Sequence, residues 1–253
     1  MNGFVAPLDP TGQASLYGAP PWRFAGRSIT VFARCDAAAV AALVPAPLHP
    51  WGAPIVRFSV HELTCDLGFG WAWAQANPHR TRLMECVVGI AVEHDGRVGH
   101  WDPFLWTDSD AELAVGREMF GWPQRLGTMA VTTPHPMRGW QAGDVAAARV
   151  ARLTEPVLSL AVDIGRAGEP DILQPPFVGF FTERVLPDPA GGPVRRELFF
   201  STMEEVAIAD PWSGAATLVL HAPELLALAP EPLAGRVNAV AWVKRHSSLV
   251  QSA

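Results

Sequence analysis

The residues best suited to chemistry lie in one stretch, positions 102–127 (DPFLWTDSDAELAVGREMFGWPQRLG). The pattern predicts a short helix that carries Arg117 and Glu118 in its last turn and ends sharply at a Gly-Trp-Pro step. Gln124 and Arg125 follow directly after that break. Polar side chains held at such a junction among aromatic residues are well placed to line an apolar cleft. Local ion pairing alone would also explain Arg117 and Glu118.

Two further candidates lie on predicted strands. Glu85 belongs to the apolar run 82–93 (RLMECVVGIAVE), and burial there would raise the pKa of its carboxyl toward neutrality, as a general base requires. His61 and Glu62 are adjacent on another strand and must point to opposite faces, so one of them can face a cavity. A lone histidine is nevertheless more often a satisfied surface or core residue than a catalyst.

Bulky aromatic residues at positions 69, 71 and 73 either wall a pocket for an apolar substrate or pack in the core, and the sequence favours neither interpretation. No phosphate loop, dinucleotide fingerprint or serine nucleophile elbow occurs. The histidines and acids form no recognisable metal triad, and we expect neither a metal nor a cofactor.

The composition limits the class of protein. The 253 residues are 49% hydrophobic and 17% charged, which excludes a disordered chain. A net charge of -6 argues against a nucleic-acid binder. The three cysteines form no CxxC pair and predict small buried thiols in a reducing compartment. No apolar run is long enough for a membrane span and the N-terminus lacks a signal pattern, so we expect a cytoplasmic protein.

Strand patterns dominate the rest of the chain. Strands are predicted at residues 28–34, 54–63, 82–93, 148–153, 157–163, 178–184, 197–209 and 216–221, whereas residues 237–243 are ambiguous. Asp36 can cap a helix over residues 37–44, Ser109 or Asp108 can cap one over 110–120, and Pro223 suits the first turn of a third. Residues 1–20 predict an irregular lead-in, and the absence of repeats and linkers favours a single domain over residues 1–253. This balance predicts an α+β, β-dominant fold with one large antiparallel, barrel-like sheet.

Several of these segments together resemble the acetoacetate decarboxylase family. They are the opening strand and helix WRFAGRSITVFARCDAAAVAALVPAPL, the strand APIVRF, the GRE step with its Gly-aromatic-Pro turn, and the element ADPWSGAATLVLH. The resemblance covers roughly residues 20–245, nearly the whole chain. It implies that family's curved β-barrel with a few short flanking helices. It also implies a homo-oligomer, because family members commonly form tetramers or larger rings.

The resemblance fails at the catalytic position. In that family two lysines follow the aromatic-Pro step, and the first forms a Schiff base with a keto substrate; here the positions hold Gln124 and Arg125. An amide nitrogen cannot condense with a ketone, and arginine stays protonated. Lys244 is the only lysine in the sequence, and its position near the C-terminus predicts a solvated end of the chain. A relocated nucleophile at Lys244 is the alternative.

The resemblance carries other roles onto this chain. Arg27 would face a substrate carboxylate, Glu85 would be the active-site glutamate of a central strand, and Ser59 replaces a second acid. We therefore expect catalytic roles for Gln124, Arg125, Glu85 and Glu118. We expect substrate-binding roles for Arg27, Arg117, Ser59, His61, Trp71, Trp73, Phe120 and Trp122.

Three functions fit these expectations. The first is an enzyme that works without a Schiff base on a β-dicarbonyl, keto-acid or polyketide-type small molecule. It would act through an enol or enolate by cyclisation, dehydration or aldol-type lyase chemistry in secondary metabolism. The second is a β-keto acid decarboxylase that works electrostatically. The third is a binding protein that keeps the fold and has lost the chemistry. None of the three requires a nucleic acid or a membrane.

Overall fold

Twelve β-strands dominate the computed structural model, which describes residues 15–172 and 179–252. The strands are β1 (Trp22–Arg34), β2 (His49–Pro50), β3 (Ile55–Cys65), β4 (Arg82–His94), β5 (Arg97–Thr107), β6 (Gln124–Leu126), β7 (Thr128–Val131), β8 (Val145–Arg152), β9 (Glu155–Ala167), β10 (Gly179–Leu186), β11 (Arg195–Leu220) and β12 (Glu231–Ser252). Five short helices accompany them in this part of the chain: α1 (Ala37–Ala42), α2 (Trp71–Ala76), α3 (Pro78–Thr81), α4 (Asp110–Val115) and α5 (Pro223–Leu226).

Seven strands close into a ring. The order β10-β5-β4-β3-β1-β12-β11 returns to its start because β10 also pairs with β11. The ring pairings are antiparallel except for β5 with β10, a contact of two residue pairs, so the predicted antiparallel sheet is in detail a mixed one. Closure leaves no free edge around the ring, and every strand then has an inner and an outer face.

A second layer covers part of the outer face. The C-terminal half of β11 leaves the ring and pairs with β9, which continues to β8 and β7. Apolar side chains on the outer faces of β1, β3 and β4 pack against this layer and form the main core, among them Val31, Val60 and Val88 against Ala148 and Val162. The inner face of the ring is therefore left free to line a cavity.

The predicted β-dominant, barrel-like fold is confirmed, and its strands are longer than the alternation indicated. The separate strands at 197–209 and 216–221 are two halves of β11, and the ambiguous segment 237–243 lies within β12. Neither β5 nor the short helices α2 and α3 was expected, because their sequences carry no clean period of two or of 3.6. The single-domain interpretation stays a prediction, and residues 1–14 of the lead-in lie outside the described residues.

The segment after β5 folds as a capped helix that changes type before it ends. Ser109 Oγ accepts from the Glu112 N–H at 3.2 Å and begins α4. The predicted helix continues to Phe120, but its last five residues, Gly116–Phe120, form a π-helical turn. Gly121 ends this turn in the left-handed region with φ 75, where a Cβ would lie 2.4 Å from Arg184 Cα. Only glycine fits both the backbone angle and that contact.

Two other expectations can be settled here. The three cysteines are free and buried, as predicted. Among the described residues, no helix has the length and apolarity needed to cross a membrane.

Candidate active site

A cavity of about 340 Å³ occupies the inside of the ring, a size typical of small-molecule sites. Its apolar wall includes Phe24, Val87, Trp122, Phe180 and Trp242. Charged side chains enter from four of the strands, the helix α4 and the C-terminal side of β9: Arg57, Glu85, Asp102, Glu112, Glu169, Arg236 and Lys244. Few cavities of this size hold so many ionisable groups without a catalytic or binding role, because a buried charge costs several kcal/mol unless it is compensated.

Lys244 lies inside this cavity. Only 2% of the residue is exposed, so the expectation of a solvated chain end is wrong. The reason is the strand alternation of β12, which places Asn238, Val240, Trp242 and Lys244 on the inner face. The Lys244 Nζ atom lies 3.4 Å from the ring centroid of Phe120 and 3.7 Å from that of Trp122.

This environment lowers the pKa of the Lys244 amine to about 7. The largest cause is burial, which disfavours the charged form, and the carboxyls of Glu112 and Glu85 oppose it only in part. No hydrogen-bond partner for Nζ exists among the described residues. A substantial fraction of the amine is therefore neutral near pH 7, the form that attacks a carbonyl carbon.

Gln124 lies behind this amine between two carboxyls. Its Nε2 donates to Glu85 Oε1 at 3.4 Å, and its amide also hydrogen-bonds Glu112. Gly116 makes the arrangement possible, since a Cβ there would lie 1.8 Å from Gln124 Oε1. The Tyr17 hydroxyl donates to the other side of Glu112 and is completely buried. Gln124 thus holds two acids in place.

The two carboxyls beside the amine, Glu85 and Glu112, both have a raised pKa. Burial and the neighbouring acids Glu112 and Asp102 raise the pKa of Glu85 to about 8. Burial also raises the pKa of Glu112, against the hydrogen bonds from Tyr17 and Gln124 and the charge of Lys244. At pH 7 Glu85 is mostly protonated, so it can donate a proton to a reacting carbon or oxygen.

The other end of the cavity holds two arginines. Arg57 reaches Asp102 at 3.3 Å across β4, where Gly89 leaves room because a Cβ would lie 2.6 Å from the Asp102 carboxylate. Arg236 binds Glu169 at 2.9 Å. Burial and these two arginines lower the pKa of His61 to about 3, so its imidazole is neutral at physiological pH. Burial raises the pKa of Asp102 to about 6 although Arg57 opposes the shift.

The structure brings six of the expected site residues to the cavity or to the groups that line it. Glu85, Ser59, His61 and Trp122 line it directly. Phe120 contacts the Lys244 amine, and Gln124 contacts Glu85. Their roles in binding or catalysis stay predictions.

The other residues of the helix–turn segment point elsewhere. Arg125 pairs with Glu224 and lies over the outer Trp106 ring, with 43% of its side chain exposed. Arg117 and Glu118 are exposed, and Arg117 donates to the Gln124 carbonyl at 3.1 Å. Their placement in the site is wrong because the π-helical turn directs both side chains away from the ring.

Arg27 and the tryptophans of α2 are also outside the cavity. Arg27 lies on the outer face of β1, where it and Arg82 share Glu62, while its neighbour Ser28 faces inward. Trp71 is exposed, and Trp73 packs against Phe69 at 4.6 Å on α2. These residues are not walls of the cavity described here.

Replacement of Arg27 tests this placement. Arg27→Gln is expected to leave kcat/KM for a keto acid unchanged and to reduce the free energy of unfolding by less than about 1 kcal/mol, because Glu62 keeps Arg82 as a partner. Steady-state kinetics and urea unfolding measure both quantities. A large rise in KM for a carboxylate substrate would instead place Arg27 at the substrate.

Comparison with known proteins agrees with the fold. The family model described as Acetoacetate decarboxylase (ADC) matches residues 6–250. The chain belongs to the acetoacetate decarboxylase family. The acetoacetate decarboxylase of Clostridium botulinum is 27% identical over 219 residues, which cover 85% of this chain and 78% of that protein. The one from Ralstonia nicotianae is 28% identical over 245 residues, or 94% and 88% of the two chains.

Solved structures give the same result. An acetoacetate decarboxylase-like enzyme from Sphingomonas wittichii RW1 has a TM-score of 0.88 and 27% identity, covering 98% of this chain and 100% of that chain. The resemblance noted in the sequence is confirmed, and the chain is an acetoacetate decarboxylase-like enzyme that acts on a small molecule. Its single lysine, Lys244, enters the cavity from β12.

Lys244 was predicted only as an alternative nucleophile at a solvated chain end, and Glu112 was not predicted at all. Lys244 carried a usable signal, because reading residues 238–244 as a strand places it on the same face as Asn238 and Trp242. Glu112 carried a weaker signal. It lies one turn before Gly116 in the same helical segment as Glu118, and the sequence alone does not show which of the two glutamates faces the cavity. Only the three-dimensional fold shows that α4 turns Glu112 toward the ring interior.

Proposed function

We propose that this enzyme cleaves a keto acid through a Schiff base on Lys244. The observation that carries the proposal is a buried amine with a pKa of about 7 inside a cavity that also holds two protonatable carboxyls. This replaces the Schiff-base-free mechanism as the first candidate, because that mechanism depended on the absence of an amine from the chamber.

The proposed reaction begins when neutral Lys244 attacks the ketone carbon. The carbinolamine loses water and becomes a protonated imine. For a β-keto acid, the electrons of the bond to the carboxylate carbon then move toward the iminium nitrogen, carbon dioxide leaves, and an enamine remains. Protonation of the enamine carbon and addition of water return the ketone and the free amine. No redox partner is needed.

The carboxyls supply the proton transfers. Glu112 is positioned to take the proton that the ammonium must lose, and its charge interacts with Lys244. Glu85 is protonated near pH 7 and can deliver a proton to the enamine carbon. Gln124 keeps both side chains oriented. Each positioned acid or base typically contributes about 10²–10⁴-fold to the rate.

The same enamine can also react with a second carbonyl carbon. Aldol-type bond formation, dehydration and cyclisation would then follow from this enamine rather than from the enol or enolate that the sequence predicted for a polyketide-type substrate. The aromatic wall formed by Phe24, Trp122 and Trp242 favours a substrate with apolar parts.

A second candidate is enol chemistry without a covalent intermediate. The protonated Glu85 carboxyl on the cavity wall favours it, because its O–H can donate to a substrate carbonyl. Arg125, which was expected to stabilise the developing negative charge, lies outside the cavity, and this leaves that charge with less stabilisation. The two candidates differ in whether a covalent adduct forms.

Reductive trapping separates them. The protein is incubated with acetoacetate and sodium borohydride, digested, and analysed by mass spectrometry. We expect an isopropyl adduct on Lys244, the reduced imine left after decarboxylation, and no adduct when acetoacetate is omitted. Acetone alone should give the same adduct. Turnover of acetoacetate without any adduct would overturn the proposal and favour the enol mechanism. Unchanged turnover in both Glu85→Gln and Gln124→Ala would show that neither side chain takes part.

A further inference from the structure

We propose that the end of the cavity opposite Lys244 binds a carboxylate, so that the substrate carries an acid group several carbons away from the reacting carbonyl, separate from any carboxylate that the reaction removes. Arg236 is the principal ligand for this carboxylate. The inference rests on the proposed function only for the position of the carbonyl.

The length of the chamber supports this. Arg236 and Lys244 lie eight residues apart on the inner face of one strand, β12. At a rise of about 3.3 Å per residue their Cα atoms are up to about 26 Å apart. Even with both side chains reaching inward, this separation exceeds the single carbon that joins the carbonyl to the carboxylate in acetoacetate. A substrate that engages both ends must be longer.

Unsatisfied polar atoms lie along the wall from Arg236 toward the middle of the cavity. Arg236 Nε, His61 Nδ1 and Asn238 Oδ1 are buried, line the cavity and have no hydrogen-bond partner among the described residues. They are neighbours in the sheet. Asn238 and His61 pair with Ser28 from the two sides of β1, and Arg236 pairs with Thr30, two residues further along β1. Buried polar atoms are normally satisfied, so a cluster left open toward a cavity indicates a polar ligand.

One of the two cations at this end can bind an anion, because its acid partner is partly exposed. Arg57 and Arg236 are the cations, and Asp102 and Glu169 are the acids that face them. Asp102 is held by Arg57, whereas Glu169 is the outer partner of Arg236, with 46% of its side chain exposed. The guanidinium of Arg236 therefore has one N–H on a partly exposed carboxylate, and its buried Nε has no partner among the residues that the structure describes. A substrate carboxylate can accept from this fork.

Three probes with the same seven-carbon chain test the proposal: 6-oxoheptanoate, its neutral ketone counterpart heptan-2-one, and heptanoate, which lacks the ketone. Their binding to the full chain is measured by fluorescence of the tryptophans that line the cavity. The test variant is Arg236→Gln, chosen over Arg57→Gln because Glu169 can turn to solvent whereas Asp102 would be left buried and unpaired. The matched control is Arg34→Gln, which removes an exposed arginine paired with Glu231 outside the cavity.

We expect Arg236→Gln to weaken heptanoate and 6-oxoheptanoate on the order of tenfold or more, and to leave heptan-2-one unchanged. Unchanged binding of the neutral ketone also shows that the variant is folded. Arg34→Gln should change none of the three. Equal heptanoate affinity in wild type and Arg236→Gln would overturn the proposal.

The test of the anion site can fail without the test of the Schiff base failing, and the reverse also holds. Failure of every ketone to give a borohydride adduct would refute the Schiff base, yet heptanoate binding would still decide the anion site. Adducts that form equally well from 6-oxoheptanoate and heptan-2-one, with no loss in Arg236→Gln, would keep the Schiff base and refute the anion site.

Discussion

Lys244→Met is expected to lower kcat/KM for keto-acid cleavage at least about 10³-fold, because it removes the only side-chain amine and leaves only binding and hydrogen bonding. Methionine nearly matches the volume of lysine and can pack against Phe120 and Trp122, so the cavity should keep its shape. Lys244→Arg should be equally inactive, since a guanidinium keeps the charge but cannot form an imine. Release of carbon dioxide from acetoacetate measures both.

The control for this experiment is the next residue along β12. Arg245 pairs with Glu204 and Glu205, and Arg245→Gln should retain full activity. If Lys244→Met kept wild-type turnover, the amine would play no part in the chemistry, and carbonyl activation would have to come from Gln124 and the neighbouring carboxyls.

The same substitution is expected to stabilise the protein near neutral pH. The pKa of Lys244 is about 7 when folded, against 10.5 for the ordinary side chain, so the unfolded chain binds more protons between these values and wild-type stability rises with pH across that interval. The cost of burying the amine is then at most about 4 kcal/mol at pH 7 and about 1 kcal/mol at pH 10. Lys244→Met removes this cost.

Urea unfolding of both proteins at several pH values between 6 and 10 measures the effect. The difference in free energy of unfolding should favour Lys244→Met and shrink steadily as the pH rises. The cysteine thiols and Glu85 titrate in both proteins, so the difference chiefly reports Lys244. A difference that is independent of pH, or a less stable variant at pH 7, would contradict a buried amine with a depressed pKa.

The sequence predicted the strands better than their connections. Alternation located the half-buried strands such as β3 and the apolar run of β4, because one residue in two, or nearly every residue, must be apolar there. Closure of the ring depends on β10 meeting both β5 and β11, contacts between residues about 80 and between 9 and 23 positions apart along the chain. No local pattern encodes the contact of β10 with β5; the balance of strands and helices predicted only a barrel-like sheet, and the family resemblance implied the curved barrel.

The site was predicted only in part, for a related reason. Glu85, Ser59 and His61 lie on strands whose inner and outer faces follow from alternation. Arg27 was misplaced because the resemblance suggested a cavity position while Ser28 is the residue that faces inward. The directions of the helix–turn side chains were not predicted because a π-helical turn, which has no reliable sequence signature, rotates Glu118 outward. The cavity position of Lys244 was not predicted because both faces of β12 carry apolar residues, which hides the alternation typical of a strand.

The scarcity of amines in this enzyme has a practical consequence. The α-amino group and Lys244 are the primary amines of the chain, and burial within the ring leaves Lys244 uncharged for much of the time at neutral pH. Small uncharged acylating or aldehyde reagents that enter the chamber should therefore mark this one side chain, while bulky ones should mark only the terminus. The stoichiometry of Lys244 labelling therefore measures which reagents can enter the cavity.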